Sequence, residues 1–284
     1  MICNFVPNFT DMRVLTRHIN RFEKKHGHKP FALITGGSSG MGLQYARFLA
    51  AEGCNLLLVS NQQQQLEEQA TQIAKEFNVS VISHFQDLAA ADAAESLVKF
   101  CDEQKVEIDI LINNAGMFFF KEHTAALMGK IDAILGLHIN TVTKLSVLFG
   151  EKMKARGYGY ILIVSSMASR LPMPGITTYS ATKAYLRSFG RSLYFEMREY
   201  GVGVTTVCPG AIATPLYNLN PKLLQFGVRI KVIGTPQWLV RRALHRMFHR
   251  RRLVQPGAMN VYLPPLIAIL PKVLVGHLCG KFKQ

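Results

Sequence analysis

From residue 30 onward the chain alternates short, almost unbroken apolar runs with longer segments whose apolar residues recur at helical spacing. The runs are FALIT (31–35), NLLLVS (55–60), VSVISHF (79–85), IDILIN (108–113), YILIVS (160–165) and VGVTTVC (202–208). A strand that is apolar on both of its alternating sides must be covered on both faces. Strands of this kind separated by helices build a doubly wound parallel sheet with right-handed crossovers, an α/β fold of three α/β/α layers. The glutamine-rich NQQQQLEEQ fits this pattern, because Leu66, Ala70, Ile73, Ala74 and Phe77 continue it as one amphipathic helix. With 49% hydrophobic residues, the chain has enough apolar material for one sizeable core. The expected division is a basic helical extension (1–29), one domain (30–255) and a basic, apolar C-terminal extension (256–284).

The first apolar run leads straight into TGGSSGMG (35–42), and a helical pattern follows. Gly36, Gly40 and Gly42 allow a tight turn and close approach of a ligand to the backbone. The helix start then offers N–H donors and partial positive charge to a pyrophosphate. Strand before and helix after make this a Rossmann-like dinucleotide turn. The Walker GK[ST] sequence is absent, which argues against nucleotide hydrolysis.

The spacing TGxxxGxG resembles that of the short-chain dehydrogenase/reductase family, and further motifs extend the resemblance over about residues 30–255. NNAG (113–116) closes the fourth strand, YSATK supplies Tyr179 and Lys183, and Ser166 precedes the tyrosine by thirteen residues. Asn140 lies in HINTV, and Pro209–Gly210 follows the sixth strand. The resemblance implies four catalytic residues: Asn140, Ser166, Tyr179 and Lys183. It places the cofactor against Gly36, Ser38, Ser39, Gly40, Met41 and Gly42 in the turn, and against Ser60 and Asn61 after the second strand. Asp87 and Leu88 follow the third strand, and Asn114, Ala115 and Gly116 the fourth. Tyr179, Lys183, Pro209, Gly210, Ile212 and Thr214 complete the set. No metal-ligand spacing occurs among the five scattered cysteines, so reduced thiols and no metal are expected.

Four residues apart on a helix, Tyr179 and Lys183 share a face. A phenol ionises near ~10 and is a poor acid–base catalyst at neutral pH, but a nearby ammonium favours the phenolate. Tyr179 can then give a proton to a ketone oxygen as hydride arrives, or take one from an alcohol. The resemblance has Lys183 also hold the nicotinamide ribose, Ser166 bond the reacting oxygen, and Asn140 hold a helix kink and a relay water. The expected activity is NAD(P)H-dependent interconversion of a ketone and a secondary alcohol. The alternative is a catalytically silent NAD(P)-binding sensor or scaffold, against which the four intact positions argue.

NAD-using members of such folds carry an acid at the end of the second strand. Here Ser60, Asn61 and Gln62 stand instead; no arginine is present to bind a 2′-phosphate, but no acid repels one, and these small polar side chains favour NADP(H) over NAD(H). The pocket walls expected from MFFF (117–120), SRLPMPG (169–175) and LYNLNPKLLQFGV (216–228) are largely apolar and lack acids. They suit an apolar substrate, such as a long-chain 3-keto lipid (3-ketosphinganine among them), a 3-oxoacyl chain or a sterol.

The net charge of +15 is concentrated at the ends: residues 200–284 carry 12 basic side chains and no acid, whereas residues 31–199 carry 15 basic and 16 acidic. RRALHRMFHRRRL (241–253) is expected in a late helix that Thr235 caps, with Pro236 in its first turn. Its stripe of Val240, Ala243, Leu244, Met247 and Phe248 should face the sheet, opposite its arginines. An N-terminal helix over 11–26 repeats the arrangement with Met12, Leu15, Ile19 and Phe22. Nucleic acid is disfavoured, since no recognition element or aromatic platform accompanies the charge. Peripheral contact with an anionic membrane fits better. Facing arginines would repel across a late-helix contact, so the expected assembly is a homodimer through the helices flanking the fifth strand. No signal peptide is evident, and the apolar 261–278 stretch is broken by prolines. A cytoplasmic protein, associated with the cytoplasmic face of a membrane, is the resulting expectation.

Overall fold

Seven strands form one parallel sheet in the order β3-β2-β1-β4-β5-β6-β7. The structure, a computed structural model, describes residues 13–171, 174–214 and 232–257, with 225, 227–229, 260 and 262. Strands β1 (Phe31–Thr35), β2 (Asn55–Ser60) and β3 (Val81–Phe85) lie on one side. Strands β4 (Ile110–Asn113), β5 (Gly159–Val164), β6 (Val202–Val207) and β7 (Leu253–Val254) lie on the other. Strand order reverses between β1 and β4, which pair Ile34 with Ile112. A crevice at the carboxyl ends follows from that reversal.

Alternate strand residues feed two separate cores. Ile34, Leu56, Leu58 and Ile112 pack under α2 (Gly40–Ala51), α3 (Gln63–Phe77) and a late helix over Pro236–Phe248. Leu33, Leu57, Leu111 and Ile161 pack under α4 (Ala93–Glu103), α6 (Val142–Arg156) and α7 (Thr177–Arg198). The late helix, α8, starts as the sequence suggests: Pro236 opens it and Thr235 Oγ1 accepts from the Trp238 N–H at 3.3 Å. It stops at Phe248, sooner than the arginine run suggests, because Arg250 turns left-handed at φ 53° and leads into β7.

Helix α1 (Arg13–His26) lies across the amino ends of the strands. Its Leu15 and Ile19 are buried, His18 stacks on Phe248 at 5.7 Å, and Phe22 and His26 meet the Tyr158 ring just before β5. Met12 and the apolar 261–278 stretch lie outside the described residues. Strand β4 begins two residues later than the sequence suggests. Asp109 turns its buried carboxylate onto the Phe31 N–H at 2.8 Å and ties the two strand starts together. The segment Ala125–Arg156 is long and apolar enough to cross a membrane, yet its Leu145, Phe149 and Met153 are core residues under the sheet.

Candidate active site

The glycine turn joins β1 to α2 and forms the floor of a cleft of about 520 Å³ at the carboxyl ends of the strands. Gly36 sits at φ +67°, a region side chains disfavour. A Cβ on Gly42 would stand 1.9 Å from the Gly36 carbonyl oxygen. Gly42 therefore lets the helix approach the turn. Alone among the expected cofactor contacts, it supports the cleft without lining it. Ser39 precedes α2 in extended conformation and makes no side-chain cap bond, which leaves first-turn N–H groups available to an anion. These features fit a dinucleotide pyrophosphate.

Thr35 fixes the turn to β4: its hydroxyl donates to the Ile112 carbonyl and accepts from the amides of Asn114 and Ala115. At the end of β2, Ser60 Oγ lies 2.9 Å from Ser38 Oγ, whose neighbour is Gln62. Lys183 is the one basic residue other than histidine among the described lining residues, and Asp87 the one acid. Apart from Gly42, the expected cofactor contacts from Gly36 to Thr214 thus surround one space, and Gln62, Gln86, Ala89, Ala133 and Leu137 add to it.

At the other end of the cleft, α7 presents Tyr179 and Lys183, both buried. Lys183 Nζ donates to the Val164 carbonyl at 3.0 Å and stands 5.6 Å from the Tyr179 ring centre. Ser165 Oγ donates to the Lys183 carbonyl at 2.6 Å and holds that turn to the end of β5. Burial pulls the Lys183 ammonium down from its ordinary 10.5 to about 8. Ser166 Oγ accepts from the Ala168 N–H at 3.1 Å. One of its two lone pairs is thereby engaged, and its own proton remains to be donated.

The apolar wall is only partly described. Phe118 meets Tyr179 edge-on at 5.0 Å. Phe120, 41% exposed, covers Gly175, where a Cβ would meet its ring at 2.7 Å. The Lys121 amide donates to the Gly175 carbonyl, joining two of the expected walls. Most of the third, 216–228, lies outside the described residues, as do Pro172 and Met173.

Two of the four expected catalytic residues, Ser166 and Asn140, are not among the residues that line the cleft. Between α5 (Met128–Leu135) and α6 the backbone widens into a π turn, Gly136–Thr141. The turn leaves Asn140 exposed and outside the cleft lining, while His138 is fully buried and lines it. The extra residue of a π turn rotates the following side chains around the axis. Spacing alone could not register this, and nothing in LHINT marks His138 as the buried member.

A parallel sheet with a glycine turn at its switch point, and a Tyr–Lys pair on the same cleft, defines a dinucleotide-dependent oxidoreductase architecture. The sequence profile described as short chain dehydrogenase matches residues 30–222, and the chain belongs to that family. Very-long-chain 3-oxoacyl-CoA reductase of Rattus norvegicus is 31% identical over 198 residues, 68% of this chain and 63% of the rat protein. The 17-beta-hydroxysteroid dehydrogenase type 3 of Mus musculus is 32% identical over 196 residues, 68% of this chain and 64% of the mouse protein. The chain thus matches less than two thirds of the length of these relatives. Among solved structures, a short-chain dehydrogenase from Sphingobium yanoikuyae in complex with NADPH superposes with a TM-score of 0.71 at 26% identity, covering 86% of this chain and 97% of that one. A 7beta-hydroxysteroid dehydrogenase reaches 0.79 at 22% identity over 91% and 98%, a likeness of fold.

Proposed function

We propose that this protein interconverts a ketone and a secondary alcohol on an apolar substrate with NADP(H). The observation that carries this reading is the presence of Tyr179 and Lys183 on the same cleft as the glycine turn. Bound along that turn, the nicotinamide cofactor supplies the hydride. Tyr179 Oη gives a proton to the carbonyl oxygen. Ser166 donates a hydrogen bond to the same oxygen and opposes the charge that develops there. The Lys183 ammonium favours the phenolate left behind. Asn61 and Ser60 tolerate a 2′-phosphate that an acid would repel.

The relatives named for 3-oxoacyl-CoA and hydroxysteroid substrates support a lipid ketone, as does the Phe118 wall beside Tyr179. We read the exposed basic faces of α1 and α8 as a peripheral contact with anionic lipid. A homodimer through α6 and α7 accounts for exposed Val147, Tyr185 and Phe195 on their outer sides. The deciding experiment follows NADPH oxidation over long-chain 3-oxoacyl thioesters and steroid ketones. Wild type is expected to exceed Tyr179→Phe by about a hundredfold or more on at least one substrate. Equal rates on all of them would remove the catalytic reading.

A further inference from the structure

His138 is fully buried between the end of β4 and the catalytic helix, and nothing in the mechanism above employs it. Its Nε2 lies 3.1 Å from the Met117 amide nitrogen, which can only donate. Its Nδ1 lies 2.9 Å from Thr182 Oγ1. The Thr182 hydroxyl gives its single proton to the Tyr179 carbonyl at 2.9 Å, so it accepts from the imidazole. Both contacts require the same form, a neutral ring with its proton on Nδ1. A second proton would set Nε2–H against the Met117 N–H. Burial and the neighbouring Lys183 also push protonation well below the ordinary range. The ring meets Tyr179 edge-on at 5.9 Å, and a Cβ on Gly116 would fall 3.0 Å from Nε2 and 3.7 Å from Lys183 Nζ.

We propose that His138, as the Nδ1–H tautomer, is the positioning residue of this active site, clamping the turn after β4 to the Tyr179–Lys183 turn of α7. The π turn delivers the ring: Gly136 has no room for a Cβ, which would lie 2.7 Å from the Ala89 carbonyl oxygen, and Thr141 Oγ1 donates to the Leu88 carbonyl at 2.7 Å. His138 thereby holds the phenol at a fixed height above the cofactor floor without adding charge beside Lys183. The kinetic part of this proposal rests on the ketoreductase reading.

The test uses the full chain with 15N-labelled histidine, and the variants His138→Phe and His138→Asn. The His138 nitrogens should show a protonated Nδ1 and a bare Nε2, unchanged between about pH 5.5 and 8.5. His138→Phe keeps the bulk and loses both bonds. It should lower kcat about tenfold or more while the NADPH Kd stays within about threefold, as expected of a misplaced acid. His138→Asn keeps an acceptor for Met117 and should recover most of that loss. Should His138→Phe not fold, Thr182→Val removes the Nδ1 partner and should show the same split between kcat and Kd. A titrating or Nε2-protonated imidazole, or undiminished kcat in the folded variant, would overturn the clamp. A wild type that reduces no ketone defeats the functional reading alone. The imidazole shifts, and the Tyr179 phenol titration compared between wild type and His138→Phe, then still decide the clamp.

Discussion

Lys183 is buried, and among the described residues it forms no ion pair; the Val164 carbonyl is its hydrogen-bond acceptor. Holding its ammonium costs stability. A fall from 10.5 to about 8 corresponds to about 3 kcal/mol. The unfolded chain keeps this proton up to about pH 10.5, and the folded chain releases it near 8. The cost is therefore complete below pH 8, shrinks as pH rises from 8 to 10.5, and is gone above. Lys183→Met should accordingly be more stable than wild type to urea at pH 7, with an advantage that fades across that window. Tyr45 and Cys54, whose ionisation burial pushes up, bend both curves downward at alkaline pH and cancel in the difference. An advantage independent of pH would mean that packing, and not charge, separates the two proteins. The cofactor preference is also decided at single side chains. Asn61 is exposed at the mouth of the cleft, so Asn61→Asp alters charge without disturbing the core. It should raise KM for NADPH about tenfold, about 1.4 kcal/mol, and leave KM for NADH nearly unchanged. Equal effects on both cofactors would show that the 2′-phosphate does not approach this position.

The elements divide by how much of their geometry a sequence can carry. The central strands were legible because burial on both faces writes an unbroken apolar run, as in NLLLVS over β2. The start of α8 was legible because a threonine cap and a first-turn proline are local chemistry. Strand β7 was not: two residues held by pairing with Thr206 and Val207 leave no periodic trace, and the arginines before them read as helix. The π turn was equally silent, since one extra residue in LGLHINTV changes no local propensity yet buries His138 at the cleft and leaves Asn140 exposed. Much of the cofactor cleft was legible because glycines mark backbone that nothing else can occupy. Gly42→Ala tests that element. Its new Cβ would overlap the Gly36 carbonyl, and both partners are backbone held by β1 and α2. The variant should lose several degrees in Tm and bind NADPH at least about tenfold more weakly. Gly129→Ala, in open space on α5, should alter neither by more than its small gain in helix propensity. NADPH binding by Gly42→Ala at wild-type strength would mean that the turn is not the cofactor floor.

As a whole, the molecule is polar from end to end. The cleft opens at the carboxyl ends of the strands, whereas α1 and the last turn of α8 gather at the amino ends, beside Tyr158 and Tyr160. Arg17, Arg21, Arg246 and Arg251 are exposed on that side. No described residue of α1 or α8 lines the cleft. A contact between this basic end and anionic lipid would therefore leave the described rim of the cleft uncovered, and binding and turnover should respond to mutation separately. Each arginine near an anionic surface contributes about 1 kcal/mol, so Arg21→Gln, Arg246→Gln and Arg251→Gln together should weaken partitioning onto phosphatidylserine-containing vesicles by about two orders of magnitude at low salt. Raising salt should erase the difference, because the attraction is screened within a Debye length. Turnover of a short, water-soluble ketone should be unaffected by the triple substitution, since its charges lie at the far end of the sheet from Tyr179. Stability should hold or rise, since like charges are removed from one surface. Cosedimentation with vesicles, run beside the kinetic assay, checks both halves. Unchanged partitioning would remove the membrane role of this face, and a matching loss of turnover would show that the two ends are coupled.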